Sequence, residues 1–126
     1  PQKEVIDWLS GAMFSVAPLT ECERNLIQGC SPIKITESMA AKKTVLAADL
    51  PVTREIIRNN KTGILIRPDR PSELARAIRL LVMNPQRLTE IGEEAYKYIK
   101  ENLTWEHSLN KLEKVYERAV HNHRNK

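Results

Sequence analysis

Two cysteines, Cys22 and Cys30, are all the sequence contains, and the seven residues between them match neither a redox C-x-x-C pair nor a zinc ribbon. Two free thiols in a reducing compartment are the expectation. Histidine is as sparse. Of His107, His121 and His123, the last two fall in the tail, and the spacing offers no metal set, so no metal is expected. No apolar run approaches the ~20 residues that a membrane-spanning helix needs. The opening PQKEVIDWLSG also lacks the apolar segment of a signal peptide. A cytoplasmic protein is expected on both counts. Aromatic residues are missing from the basic clusters, RNNK at 58–61 and HNHRNK at the end. The 20 Lys and Arg are interleaved with 16 Asp and Glu on nearly every predicted helix, so the net charge of +4 reads as solvated faces. Nucleic acid is not an expected partner.

What is present is the composition of a globular domain, with 41% hydrophobic and 29% charged residues. A chain of 126 residues is large enough for a single core. In order, Lys3 to Leu9 carries Val5, Ile6 and Leu9 at helical spacing and predicts a short helix ending near Gly11. The apolar run Ala12 to Ala17, stopped by Pro18, predicts a buried strand. Thr20 to Ser31 has no clean period and reads as a polar loop at the C-terminal end of that strand, where open α/β sheets bind ligands.

Thr44 to Ala48 is continuously apolar, as a parallel strand covered on both faces requires. Pro51 to Asn59 predicts a helix with Val52, Ile56 and Ile57 inward, and Gly63 to Arg67 a third strand. An amphipathic helix follows from Pro71, with Leu74, Ile78, Leu81 and Val82 on its apolar face. Asn84-Pro85 breaks it. Arg87 to Asn102 buries Leu88, Ile91, Ala95 and Ile99, and Thr104 caps a last helix with Trp105, Leu109, Leu112, Tyr116 and Ala119 on one face. Strands alternating with helices define an α/β fold, a Rossmann-like parallel sheet of about three strands with flanking helices. Three strands are one half of a doubly wound domain. The other half would take on the order of 90 residues at roughly 30 per βα unit, so the chain is read as a fragment.

The candidate site lies in Gly29 to Pro51. Pro32 suits the first helical position and Ser31 the N-cap. The Ile33 and Lys34 amides would then point out of the helix start, and with the helix dipole they make a seat for a phosphate. Glu37 lies about one turn further, roughly 6 Å along the axis. That is too far to sit against a diphosphate and near enough to accept hydrogen bonds from a ribose diol. The same residues are also ordinary helix-starting chemistry.

The wider stretch resembles the nucleotide-sugar site of family 4 retaining glycosyltransferases, in particular bacterial exopolysaccharide enzymes with an sP-x-K-x-x-E-x-M-A motif. The resemblance runs from about Glu4 to Tyr116. It is carried by Ala17-Pro18, Pro32 to Ala41 with Glu37, Thr44 to Asp49, Arg54-Glu55-Ile56-Ile57, Gly63 to Pro68 and Thr104-Trp105-Glu106.

The resemblance implies the C-terminal, donor-binding part of a GT-B enzyme, in which two Rossmann-like domains face a cleft. Glu37 would bind the donor ribose, and Gly29, Cys30, Ser31, Pro32, Ile33 and Lys34 would lie along the diphosphate. In the family's usual scheme helix dipole, backbone donors and basic side chains stabilise the leaving diphosphate without a metal or other cofactor. The nucleotide-diphosphate sugar is a substrate. The acceptor, a growing glycan or a lipid-linked one, would be held by an N-terminal domain outside this chain, at the inner face of the membrane in the peripheral case.

Two positions depart from the family's pattern. Many members place a first glutamate seven residues before the second, touching the donor sugar, and here that position is Gly29. Glu21, Asn25 and Gln28 are the alternative sugar contacts. Pro51 and Val52 stand where two glycines are common. The family's Lys and Arg pair lies upstream of this stretch, and no residue is singled out as a general base, so the catalytic residues stay unassigned. A non-transferase or epimerising sugar-nucleotide protein of the same architecture is a second reading. A third is an interaction module presenting the helices from Pro71 to His121. An open edge at the first strand would favour self-association of the fragment.

Overall fold

The structure, a computed structural model, describes residues 2–124. Helix α1 (Gln2–Gly11) leads to strand β1 (Ser15–Ala17), a five-residue π turn (Arg24–Gln28) and helix α2 (Ile33–Ala40). Strand β2 (Val45–Ala48), the single turn α3 (Pro51–Arg54) and strand β3 (Ile64–Ile66) come next. Three helices close the chain: α4 (Pro71–Val82), α5 (Pro85–Asn102) and α6 (Trp105–Arg124). The three strands form one parallel sheet in the order β1-β2-β3, with Ser15 opposite Val45 and Leu46 opposite Ile64. This is the α/β arrangement that the alternation of strands and helices predicts.

The central strand organises the core because every residue of it is buried and successive side chains point to opposite faces. Val45 and Ala47 pack with Ile35 and Met39 of α2, Ile57, and Ala95 and Ile99 of α5. Leu46 points the other way, into Leu81 of α4 and Leu88. Thr44, just before the strand, buries its hydroxyl by donating to the Leu88 carbonyl at 2.7 Å. That bond fastens the start of α5 to the start of β2.

Several expected elements are shorter than the apolar runs that announce them. The first strand begins at Ser15 rather than Ala12, because its neighbour β2 starts opposite Ser15 and gives the earlier residues nothing to pair with. Phe14 instead packs beside Leu46. The helix from Pro51 stops at Arg54, although Val52, Ile56 and Ile57 are buried as expected. Thr53 Oγ1, itself buried, accepts the Leu50 N–H at 3.0 Å and so closes that turn on its own start. In α4, Val82 is turned outward while Leu81 takes the core position.

The last helix starts as expected, with Thr104 Oγ1 accepting the His107 N–H at 3.3 Å. Its apolar face does not find a core. Trp105, Leu109, Leu112 and Tyr116 are all exposed, and the described residues leave that stripe open. Strand β1 is an outer strand of the sheet, and Val16 at its centre is 40% exposed.

Candidate functional site

In a parallel β1–loop–α2–β2 unit the start of α2 lies at the C-terminal rim of the sheet, where ligands of open α/β sheets bind. The boundary there differs from the expected one. Helix α2 begins at Ile33, with Pro32 as the boundary residue at φ −77° and ψ 79°. Those angles belong to an inverse γ-turn, and the Ile33 N–H closes it on the Ser31 carbonyl at 2.9 Å. Ser31 therefore contributes its carbonyl, not a side-chain cap, and the Ile33 amide is consumed rather than directed at a ligand. The Ile35 N–H is also spent, on the Pro32 carbonyl at 2.9 Å. Among the described residues the amides of Cys30, Ser31 and Lys34 have no acceptor within the chain.

Glu37 follows four residues into α2 and is half-buried. Its carboxylate has no hydrogen-bond or ion-pair partner among the described residues and borders a cleft of about 300 Å³ lined by Val5, Ile6, Leu9, Ala40 and Ala41. Lys34, one turn earlier, is exposed, and its ammonium is equally without a partner among the described residues. Helix α2 owes its rigidity to the opposite face, where Ile35, Ser38 and Met39 are buried. The Ser38 hydroxyl is satisfied by the Lys34 carbonyl at 2.8 Å.

The segment leading to α2 is more ordered than a polar loop. Cys22 accepts from the Asn25 and Leu26 amides, which opens the π turn. Asn25 is buried; its Nδ2 donates to the Thr20 carbonyl at 2.8 Å and its Oδ1 accepts from the Cys30 thiol at 3.5 Å. Its side-chain amide is thus committed within the loop. Cys30 is half-buried and packs against Ala48, Leu50 and Val52. Gln28 and Glu21 are exposed. Gly29 adopts φ 78° and ψ 149°, a conformation open to glycine alone. A Cβ there would meet nothing within 4 Å, so the bar to a glutamate at this position is the backbone and not the space.

The rim beyond β2 and β3 brings further charged groups close to Glu21. Glu21, Asp49, Arg54, Arg67, Asp69 and Arg70 line a cleft of about 460 Å³. Arg54 Nε lies 2.6 Å from Asp49 Oδ1, and Arg67 Nε lies 3.1 Å from Glu73 Oε1. The Arg54 hydrogen bond holds the Asp49 carboxyl below the usual carboxylate range, although slight burial pushes the other way. The signal available in sequence was position: Glu21, Asp49, Arg54, Asp69 and Arg70 lie within six residues after the end of a predicted strand, and Arg67 ends one.

A three-stranded parallel sheet with flanking helices is a Rossmann-like α/β arrangement. The chain itself belongs to the group 1 glycosyl transferases, whose family model matches residues 12–98. It is 35% identical over 89 residues to the D-inositol 3-phosphate glycosyltransferase of Rhodococcus erythropolis, covering 71% of this chain and 20% of that protein. Sucrose-phosphate synthase from Thermosynechococcus elongatus superposes with a TM-score of 0.76 at 21% identity, over 90% of this chain and 27% of that one. Anabaena HepE, solved in complex with UDP-glucose, gives a TM-score of 0.64 at 21% identity over 74% of this chain and 24% of its own. These structures share the fold, that of GT-B glycosyltransferases. The chain spans about a fifth of the length of the curated relatives it matches.

Proposed function

We propose that residues 1–126 are the C-terminal, donor-binding part of a retaining glycosyltransferase that moves a hexose from a nucleotide-diphosphate sugar to a growing glycan. The observation that carries this is the pairing of two unsatisfied features at one helix start. The Cys30, Ser31 and Lys34 amides have no acceptor among the described residues, and the unpaired Glu37 carboxylate stands one turn further. Backbone donors and a helix dipole favour a phosphate, while a carboxylate ~6 Å along the axis accepts from a neutral diol. Lys34 adds a cation on the phosphate side. Family membership supports the reading, as does a fold shared with a protein solved in complex with UDP-glucose.

In this arrangement Gly29 to Lys34 line the diphosphate and Glu37 holds the ribose. Gln28 and Glu21 remain the sugar contacts, since Asn25 is committed to the loop. The donor phosphates are met by backbone and Lys34, so no metal is called for. The acceptor, glycan or lipid-linked, belongs to another domain of the longer protein, placed in the cytoplasm or peripherally at the inner membrane face. Calorimetry of the full-length protein with UDP-, GDP- and ADP-sugars tests the assignment. Glu37→Gln is expected to weaken donor turnover strongly while the melting temperature stays within a few degrees. Unchanged turnover would remove Glu37 from the site.

A further inference from the structure

We propose that Asp69 is a positioning residue for the donor-binding loop, acting through the backbone amide of Glu21; the inference rests on the nucleotide-sugar reading above. Asp69 sits in the turn between β3 and α4 with φ 55°, in the left-handed region that non-glycine residues other than Asn and Asp rarely enter. In that conformation its Oδ2 accepts the Glu21 N–H at 3.2 Å, across 48 residues of sequence.

The other polar contacts of residues 20–31 stay local. Asn25 bonds Thr20 and Cys30, and the Asn25 and Leu26 amides bond the Cys22 carbonyl. Among the described residues, Glu21 to Asp69 is the hydrogen bond that ties this segment to a separate part of the fold. Apolar packing of Leu19 and Cys30 against Ala48, Leu50 and Val52 holds the two ends of the loop down. Such packing has no direction, whereas a hydrogen bond to a carboxylate does.

The consequence runs along the chain. Glu21 precedes Cys22, whose carbonyl opens the π turn, and the turn ends at Gly29, where the free amides begin. Fixing the Glu21 amide therefore fixes the place from which the turn starts and the direction in which Cys30 and Ser31 present their N–H groups. Asp69 is 32 residues beyond Glu37 in sequence, touches no residue assigned to ribose or phosphate, and meets Glu21, a proposed sugar contact, at its backbone N–H, so its effect on a donor is through the loop.

Three versions of position 69 separate geometry from hydrogen bonding. Asp69→Asn keeps an acceptor oxygen and tolerates the left-handed backbone, whereas Asp69→Gly keeps the backbone and removes the acceptor. Hydrogen exchange of residues 20–31 and titration with UDP and GDP are read in the full-length protein for wild type and both variants. Asp69→Gly is expected to speed exchange in 22–31 selectively and to weaken nucleotide binding by roughly threefold to tenfold, less than a full charged hydrogen bond because the contact is exposed. Asp69→Asn should restore both, with melting temperatures of the two variants within a few degrees. The proposal is overturned if Asp69→Gly leaves the loop's exchange at the wild-type rate, or if Asp69→Asn is as damaging as Asp69→Gly. Should wild-type protein show no nucleotide response at 29–37, the donor reading falls, and the exchange comparison alone decides for or against the tether.

Discussion

Gly92 of α5 presses its backbone against the Lys42 carbonyl in the turn that follows α2. A methyl group built on Gly92 would collide with the oxygen and the carbon of that carbonyl. The contact is backbone on backbone, reinforced by the Thr44 hydroxyl on Leu88 at 2.7 Å and by Lys42 Nζ to Glu93 Oε1 at 3.1 Å. It sets how closely the long helix can approach β2, and hence where α2 lies on the sheet. Gly92→Ala forces the helix to back away. An overpacking cost of roughly 1–3 kcal/mol is expected, seen as a lowered melting temperature. A variant as stable as wild type would mean that the turn at Lys42 yields freely.

Asp49 and Arg54 give stability a pH dependence at the rim of the site. The Asp49 carboxyl is held below its ordinary value of 3.8 by the Arg54 hydrogen bond, so the folded state binds its proton less readily than the unfolded chain does. Its contribution is complete above the unfolded value and disappears as pH falls through the lower folded one. The pair is partly solvated, with 35% of the Asp49 side chain exposed, so the effect is small. Asp49→Asn is expected to be slightly less stable than wild type at pH 7, and the two should converge below pH 3.8. Denaturant melts between pH 7 and pH 3 read the difference, and a gap that widens on acidification would contradict the assignment.

The 126-residue chain by itself is expected to self-associate. Strand β1 has no partner on its outer side among the described residues, and exposed, unpaired strand edges template further pairing. The open apolar stripe of α6 acts in the same direction, with Trp105 86% exposed. Sedimentation should show dimers or larger species. A clean monomer at high concentration would mean that both surfaces are satisfied internally.

Alone, the same chain is expected to show no transferase activity and at best millimolar affinity for a nucleotide. Two or so charge-assisted hydrogen bonds contribute roughly 1.5–3 kcal/mol each, against an association cost of ~4 kcal/mol or more. The remainder, at most about 2 kcal/mol, falls short of the ~4 kcal/mol that corresponds to a Kd of 1 mM. An NMR titration with UDP, GDP and ADP should move resonances at Gly29 to Glu37 without saturating below millimolar nucleotide. Tight saturation, or shifts centred on α6, would displace the site.

The periodic signals in the sequence were sufficient for the architecture. The unbroken apolar run at Val45 to Ala48 demanded a strand covered on both faces, and the spacing of Leu88, Ile91, Ala95 and Ile99 demanded a buried helix face; both are seen. Such patterns are local and repeat along the chain, so no tertiary information is needed to read them. The candidate site was legible only where its chemistry is local too, in the placement of Lys34 and Glu37 on one helix. Which amides stay free depended on the γ-turn at Pro32, and the fate of Asn25 on the packing of its loop. Whether α6 buries its stripe depended on what lies beside it. Asp69 meets Glu21 across 48 residues because parallel strands bring successive C-terminal ends to one rim. A relation of that kind has no period and no motif. Only the folded chain, by closing the loop between those residues, decides it.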